Sequence, residues 1–183
     1  TTEIYTLSLH DALPIFCIHT RYSTQQAILE DIVASLYAQG MRKLIILSGH
    51  GGNNFKGMIR DLAFVYPDFL IIAADWFSIV PPKDYFEAVV DDHAGESETS
   101  VMMHYHPELV NLAEAGDGES RPFAIPSLNE KVGWAPRHWD KATVDSGVGN
   151  PKKASAEKGK RYMKPVVEKL AKLFTEVGLG SLY

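Results

Sequence analysis

The chain has 183 residues, 45% hydrophobic and 22% charged, which excludes the composition of a disordered chain and leaves length enough for a core. Lys and Arg number 18 against 23 Asp and Glu, a net charge of −5, so a broad nucleic-acid or anionic-membrane surface has no clustered positive field to rest on. The single cysteine, Cys17, excludes an internal disulfide framework and a cysteine zinc cluster and points to a reduced, cytoplasmic setting; no apolar run approaches the roughly 20 residues that span a bilayer.

Thr1 to Ile15, TTEIYTLSLHDALPI, has neither the basic n-region nor the apolar h-region of a signal peptide. It reads as a non-native, adaptor-like segment, so residues 1–15 are set apart from a single domain expected over residues 16–183. Phe16 to Thr20 reads as the end of a buried strand. Ser23 or Thr24 is a candidate N-cap for a helix whose apolar face carries Ile28, Ile32, Val33, Leu36 and Tyr37 and which stops at Gln39-Gly40. Lys43 to Ser48 holds the run Leu-Ile-Ile-Leu, which predicts a strand buried on both faces. A Gly-rich turn follows over Gly49 to Asn54. Phe55 to Tyr66 is then predicted as a helix with Met58, Ile59, Leu62 and Val65 inward, and Phe69 to Ala74 as a second strand.

Strand and helix thus alternate, which predicts an α/β fold with a mostly parallel sheet and helices on both faces. Further on, Glu96 to Tyr105 reads as a helix closed by Pro107, and Ala115 to Gly149, with five glycines and three prolines, as loop-rich chain. Ala154 to Val177 places Tyr162, Val166, Val167, Leu170, Leu173, Phe174 and Val177 at helical spacing. Ser155, three residues before Lys158, does not make a full capping box. No repeat and no linker divides the chain.

Two clusters carry chemistry. Ser48-Gly49-His50-Gly51-Gly52-Asn53-Asn54 directly follows a strand, where open α/β sheets build their sites. The glycines leave the backbone free to turn and a ligand free to approach. Asn53 or Asn54 can cap the next helix, whose first amides favour an anion. Asp91-Asp92-His93-Ala94-Gly95-Glu96-Ser97-Glu98 packs four carboxylates and a histidine into eight residues. If Gly95 or Glu96 opens a helix, His93 before it and Glu98 in its first turns can converge on one point, as acid/base groups and metal ligands must.

Imidazole and carboxylate without thiolate suit zinc, manganese or iron. A catalytic zinc, however, takes roughly three protein ligands. His104, His106 and His138 read as surface or core residues. No Gly-x-Ser-x-Gly elbow supports a serine hydrolase built on Gly51-Gly52.

The two motifs together resemble those of the creatininase family of metal-dependent amidohydrolases, in Gly49-His50-Gly51-Gly52-Asn53 and in His93-Ala94-Gly95-Glu96-Ser97-Glu98-Thr99-Ser100. The turn Gly147-Val148-Gly149-Asn150-Pro151 and the approach to the last helix are similar as well. The resemblance runs from about Thr20 to about Val177. It implies the family's three-layer architecture, with a parallel sheet between helices. It implies a ligand of one metal in His50 and a carboxylate ligand of the other in Glu98, for two divalent ions, zinc or manganese and also iron. His93 matches the histidine that serves proton transfer at the scissile C–N bond.

The activity implied is hydrolysis of a small-molecule amide, cyclic or a formamide, by a homo-oligomer. The family's Glu-x-His segment and bridging Asp have no counterpart before His50: Glu3 is followed two places on by Tyr5, and His10-Asp11 falls in the segment set apart. The expectation is therefore an N-terminally truncated member, with activity in doubt for this chain. Gly52 and Val89 stand where creatinine hydrolases have a glutamate and a tryptophan, which points away from creatinine. The alternative reading is a non-catalytic metal- or anion-binding oligomeric domain of the same descent.

Overall fold

The computed structural model describes residues 20–181. The segment 1–15 and nearly all of the strand end expected over Phe16 to Thr20 lie outside the described residues. In chain order the elements are α1 (Tyr22–Ala38), β1 (Lys43–Ser48), α2 (Lys56–Val65), β2 (Leu70–Asp75), β3 (Asp91–His93), α3 (Glu96–Tyr105), α4 (Pro126–Asn129), α5 (Trp139–Ala142), β4 (Val148–Gly149) and α6 (Ala156–Leu179). The α/β class is as expected. The described residues carry it as one parallel pair, β1–β2, and one antiparallel pair, β3–β4. No helix among them is long and apolar enough to cross a membrane.

The chain divides into two compact units. The first comprises, of the described residues, 20–79 and 168–181. Here β1 and β2 run in parallel register, Lys43 against Leu70 through Ser48 against Asp75, with α2 as the crossover. The core gathers Leu29 and Val33 of α1, Met58 and Leu62 of α2, and Phe69 and Ile71 at β2. Each such side chain taken out of water contributes about 1.5–3 kcal/mol.

Two sequence expectations shift here. The inward face of α1 is centred on Leu29 and Val33, leaving Ile28 and Ile32 45% and 46% exposed, and Val65 at the end of α2 is 58% exposed. An apolar residue fits both edges of a helical stripe, and packing against α2 and β2 selects the rotation. Nor is β1 buried on both faces, since Leu47 is 50% exposed. At the other end of the unit, Lys43 Nζ donates to the carbonyls of Val177 and Gly180 at 2.7 and 2.6 Å, satisfying acceptors that the end of α6 leaves open.

The second unit, described over residues 80–167, is built on α3, α6 as far as Val167, and the loops between. Tyr162 and Val166 of α6 are almost wholly buried with Phe86 and Val80. The Tyr162 ring meets Phe86 and Tyr85 edge-on at 5.1 and 5.4 Å. Burial pushes the Tyr162 hydroxyl up to about 12. Ser155 caps α6 by accepting the Lys158 N–H at 3.3 Å.

Exposed Glu87 accepts from Lys153 and Lys158 at 2.8 and 3.0 Å. These bonds, Lys153 first, pull its carboxyl from 4.5 to about 2. A carboxylate depressed by folding stabilises above its unfolded value and loses that contribution as pH falls through the folded one. Glu87→Gln is therefore expected to narrow the loss of stability between pH 4.5 and about 2. Urea unfolding of both forms across that range checks it, and parallel pH dependences would contradict it.

Candidate functional site

In the first unit, β1 ends on buried Ser48 and the chain turns through His50. Ser48 Oγ donates to the His50 carbonyl at 3.2 Å, which also accepts the Asn53 N–H at 3.2 Å. Asn53 Nδ2 donates to Ser48 Oγ at 3.4 Å. The Gly52 N–H donates to His50 Nδ1 at 3.0 Å, so a neutral ring carries its proton on Nε2. Asn54 Oδ1 takes the Lys56 N–H at 3.2 Å at the start of α2, while the N-cap position itself is Phe55 rather than either asparagine.

The glycines act otherwise than expected: none of Gly49, Gly51 and Gly52 has positive φ. Their turn is closed by side chains, including Trp76, whose Nε1 donates to the Gly49 carbonyl at 3.1 Å. Sequence reading missed Trp76. Its only signal is an indole just past the end of β2, beside the end of β1 in a parallel pair.

In the second unit, β3 delivers His93 and α3 delivers Glu98. Between them Ala94 sits at φ 49°, a left-handed conformation costly for a residue with a Cβ and typical of functional turns. That turn brings the Glu98 carboxylate back onto the Ala94 N–H, Oε2 accepting at 2.7 Å. It also sets the same oxygen 3.9 Å from His93 Nδ1. Thr99 Oγ1 closes the loop on the Ala94 carbonyl at 3.1 Å.

The carboxylates of the cluster separate by role. Asp91 caps α3, both oxygens accepting the Ser97 N–H at 3.1–3.2 Å. Burial raises its pKa. A Cβ on Gly95 would stand 2.2 Å from Asp91 Oδ1, so glycine is what lets the cap close. Asp92 turns to Arg137 at 2.5 Å, and Arg137 lies 4.7 Å over the Trp139 ring. His93 packs on the same indole in a T-shaped pair, 5.0 Å between centroids. Residue order gives no sign of Trp139 at this site, because it lies far beyond α3 in the chain, past α4. Beside Glu98 lies a cavity of about 330 Å³, lined by Ala94, Glu98, Thr99, Met102, Leu109 and Val110 among others.

Of the three residues expected at a site, the structure brings His93 and Glu98 together in the second unit and places His50 in the first. Imidazole and carboxylate suit zinc or manganese by type. By number the described residues fall short, because no three His, Cys, Asp or Glu side chains among them gather as a metal site, and a catalytic zinc takes about three. Glu3, Tyr5, His10 and Asp11 lie outside the described residues. His104, stacked on Tyr105 at 4.6 Å, and exposed His106, bonded to Glu108 at 3.2 Å, keep local roles.

Comparison with known proteins adds a second line of support. The sequence profile named Creatininase, described as creatinine amidohydrolase, matches residues 4–174. A mycofactocin precursor peptide peptidase of Mycobacterium ulcerans (strain Agy99) is 32% identical over 131 residues, 69% of this chain and 45% of that protein. The chain spans about half the length of the curated peptidases it matches. A crystal structure from Bacteroides fragilis NCTC 9343, provisionally identified as a creatinine amidohydrolase, is 81% identical, with a TM-score of 0.90 over 93% of this chain and 68% of that one. A mutant creatininase of the Zn-Zn type shares the fold, with 19% identity and a TM-score of 0.67 over 94% of this chain and 71% of that one.

Proposed function

The chain belongs to the creatininase family, and from that premise we propose that it is a metal-dependent amidohydrolase acting on a C–N bond of a small amide. The observation that carries this reading is the approach of His93 to Glu98, 3.9 Å apart on one strained turn beside an open cavity. His50 and Glu98 are the residues that would each hold a divalent ion, zinc or manganese, His50 doing so on releasing the Gly52 N–H that its Nδ1 now accepts. When bound, such ions supply an activated water and stabilise charge on the carbonyl oxygen.

His93 is the general acid of this reading. An imidazole can both hold and release a proton, and here the ring packs on Trp139 at 5.0 Å between centroids while Nδ1 lies 3.9 Å from Glu98 Oε2. It gives its proton to the leaving nitrogen. Met102, Leu109 and Val110 receive the apolar part of the substrate in the cavity. Creatinine is not the favoured substrate, because Val89, where creatinine hydrolases have tryptophan, is 99% exposed and offers no ring. A reduced cytoplasmic setting and a homo-oligomer complete the proposal.

Elemental analysis of the purified chain, then amide hydrolysis with added Zn²⁺ or Mn²⁺, tests the reading. Bound metal and turnover are expected, with His50→Ala abolishing metal uptake. A chain that binds no metal and turns over no amide would overturn the reading, and unchanged uptake in His50→Ala would remove that residue from the ligand set.

A further inference from the structure

Glu96 is the first residue of α3 and is wholly buried. A buried carboxylate is costly unless paired and fully hydrogen-bonded, and replacing such a pair with apolar residues is often neutral for stability. This one is saturated. Oε2 accepts the Glu87 and Ala88 N–H groups at 2.9 and 2.8 Å, and Oε1 accepts from Lys158 Nζ of α6 at 2.5 Å. The Lys158 ammonium donates onward to Glu87 Oε1 and the Lys153 carbonyl, each at 3.0 Å.

The main chain of Glu96 is tied to the same helix. Its carbonyl accepts from Ser100 Oγ at 2.6 Å, and that hydroxyl accepts the Ser155 N–H at 3.1 Å. One carboxylate therefore joins the segment that runs into β3 and His93, the first turn of α3 that carries Glu98, and the start of α6.

We propose that the buried Glu96–Lys158 pair is a positioning device that holds His93 and Glu98 in register with each other. The pair does not touch substrate. It acts by pinning the 87–88 backbone to the helix on which Glu98 stands, so that the separation of the two functional side chains is set from beneath. The proposal rests on the amidohydrolase reading for its purpose, but its geometry can be tested without turnover.

The experiment compares Lys158→Met and Lys158→Arg with the full chain, at one fixed pH. Hydrogen exchange reads the Glu87 and Ala88 amides, and NMR reads the His93 ring, which the Trp139 indole shifts at 5.0 Å. Lys158→Met is expected to speed exchange of those two amides by about tenfold, the equivalent of one net hydrogen bond. It should also move the His93 resonance toward its unshifted value and leave the β1 and β2 amides protected. Lys158→Arg should restore both signals. A folded Lys158→Met with Glu87 and Ala88 as protected as before and the His93 resonance unmoved would overturn the proposal.

If Lys158→Met does not fold, Glu96→Gln, which keeps the shape and an acceptor oxygen, decides by the same two readings. Absence of hydrolysis by the unmodified chain with metal would count against the amidohydrolase reading alone, because the exchange and NMR results stand apart from it.

Discussion

His93→Ala is expected to lower amide turnover by roughly 10²- to 10⁴-fold, the usual contribution of a positioned general acid, while metal content stays at the unmodified level. The separation of these two readouts follows from the geometry. His93 stands against Trp139, and its removal leaves the Trp139–Arg137 stack, the Arg137–Asp92 pair and the Glu98 bond to the Ala94 N–H in place. Glu98→Gln should behave differently, losing metal and turnover together, because it exchanges a charged donor for a neutral one where the proposed reading places an ion. Steady-state kinetics paired with elemental analysis of each variant makes the check. Loss of metal in His93→Ala would reassign the histidine as a ligand, and full activity would remove it from the mechanism.

Gly159→Ala is expected to destabilise the second unit by about 3 kcal/mol, the upper range for forcing atoms into a packed contact. A Cβ at this position would stand 2.0 Å from the Ser100 carbonyl oxygen. Both partners are regular helix backbone, so neither can yield as a side chain would. The Ser155 N–H to Ser100 Oγ bond lies beside this contact, and it would be pried open with it. Chemical denaturation read by far-UV circular dichroism tests the prediction. A midpoint equal to that of the unmodified chain would show that α3 and α6 have room to separate.

Much of the local structure was legible in residue order. Lys43 to Ser48 and Glu96 to Tyr105 are observed with the bounds expected for them, because a short apolar run between breakers and a polar start closed by Pro107 leave few alternatives. The strand read at Phe69 to Ala74 and the last helix are offset by a residue or two. The rotation of α1 was not legible. Ile28 and Leu29 are both apolar and adjacent, and local pattern cannot say which one meets α2.

The family was determined by the sequence alone. Two short motifs in the right order, within alternating strands and helices, carried the resemblance to it, and the family profile matches residues 4–174. The same residue types were enough to name His50, His93 and Glu98 as candidates. What only the tertiary structure decided is the division of labour within the acidic cluster. Asp91 caps a helix, Asp92 pairs with Arg137, Glu96 is buried on Lys158, and Glu98 folds back toward His93. Four carboxylates within eight residues are chemically alike until hydrogen-bond satisfaction assigns each one: Asp91 and Glu98 accept from Ser97 and Ala94 within the cluster, Asp92 and Glu96 from Arg137 and Lys158 far along the chain. The partners that make those assignments lie up to 62 positions away along the chain, where no local pattern can register them.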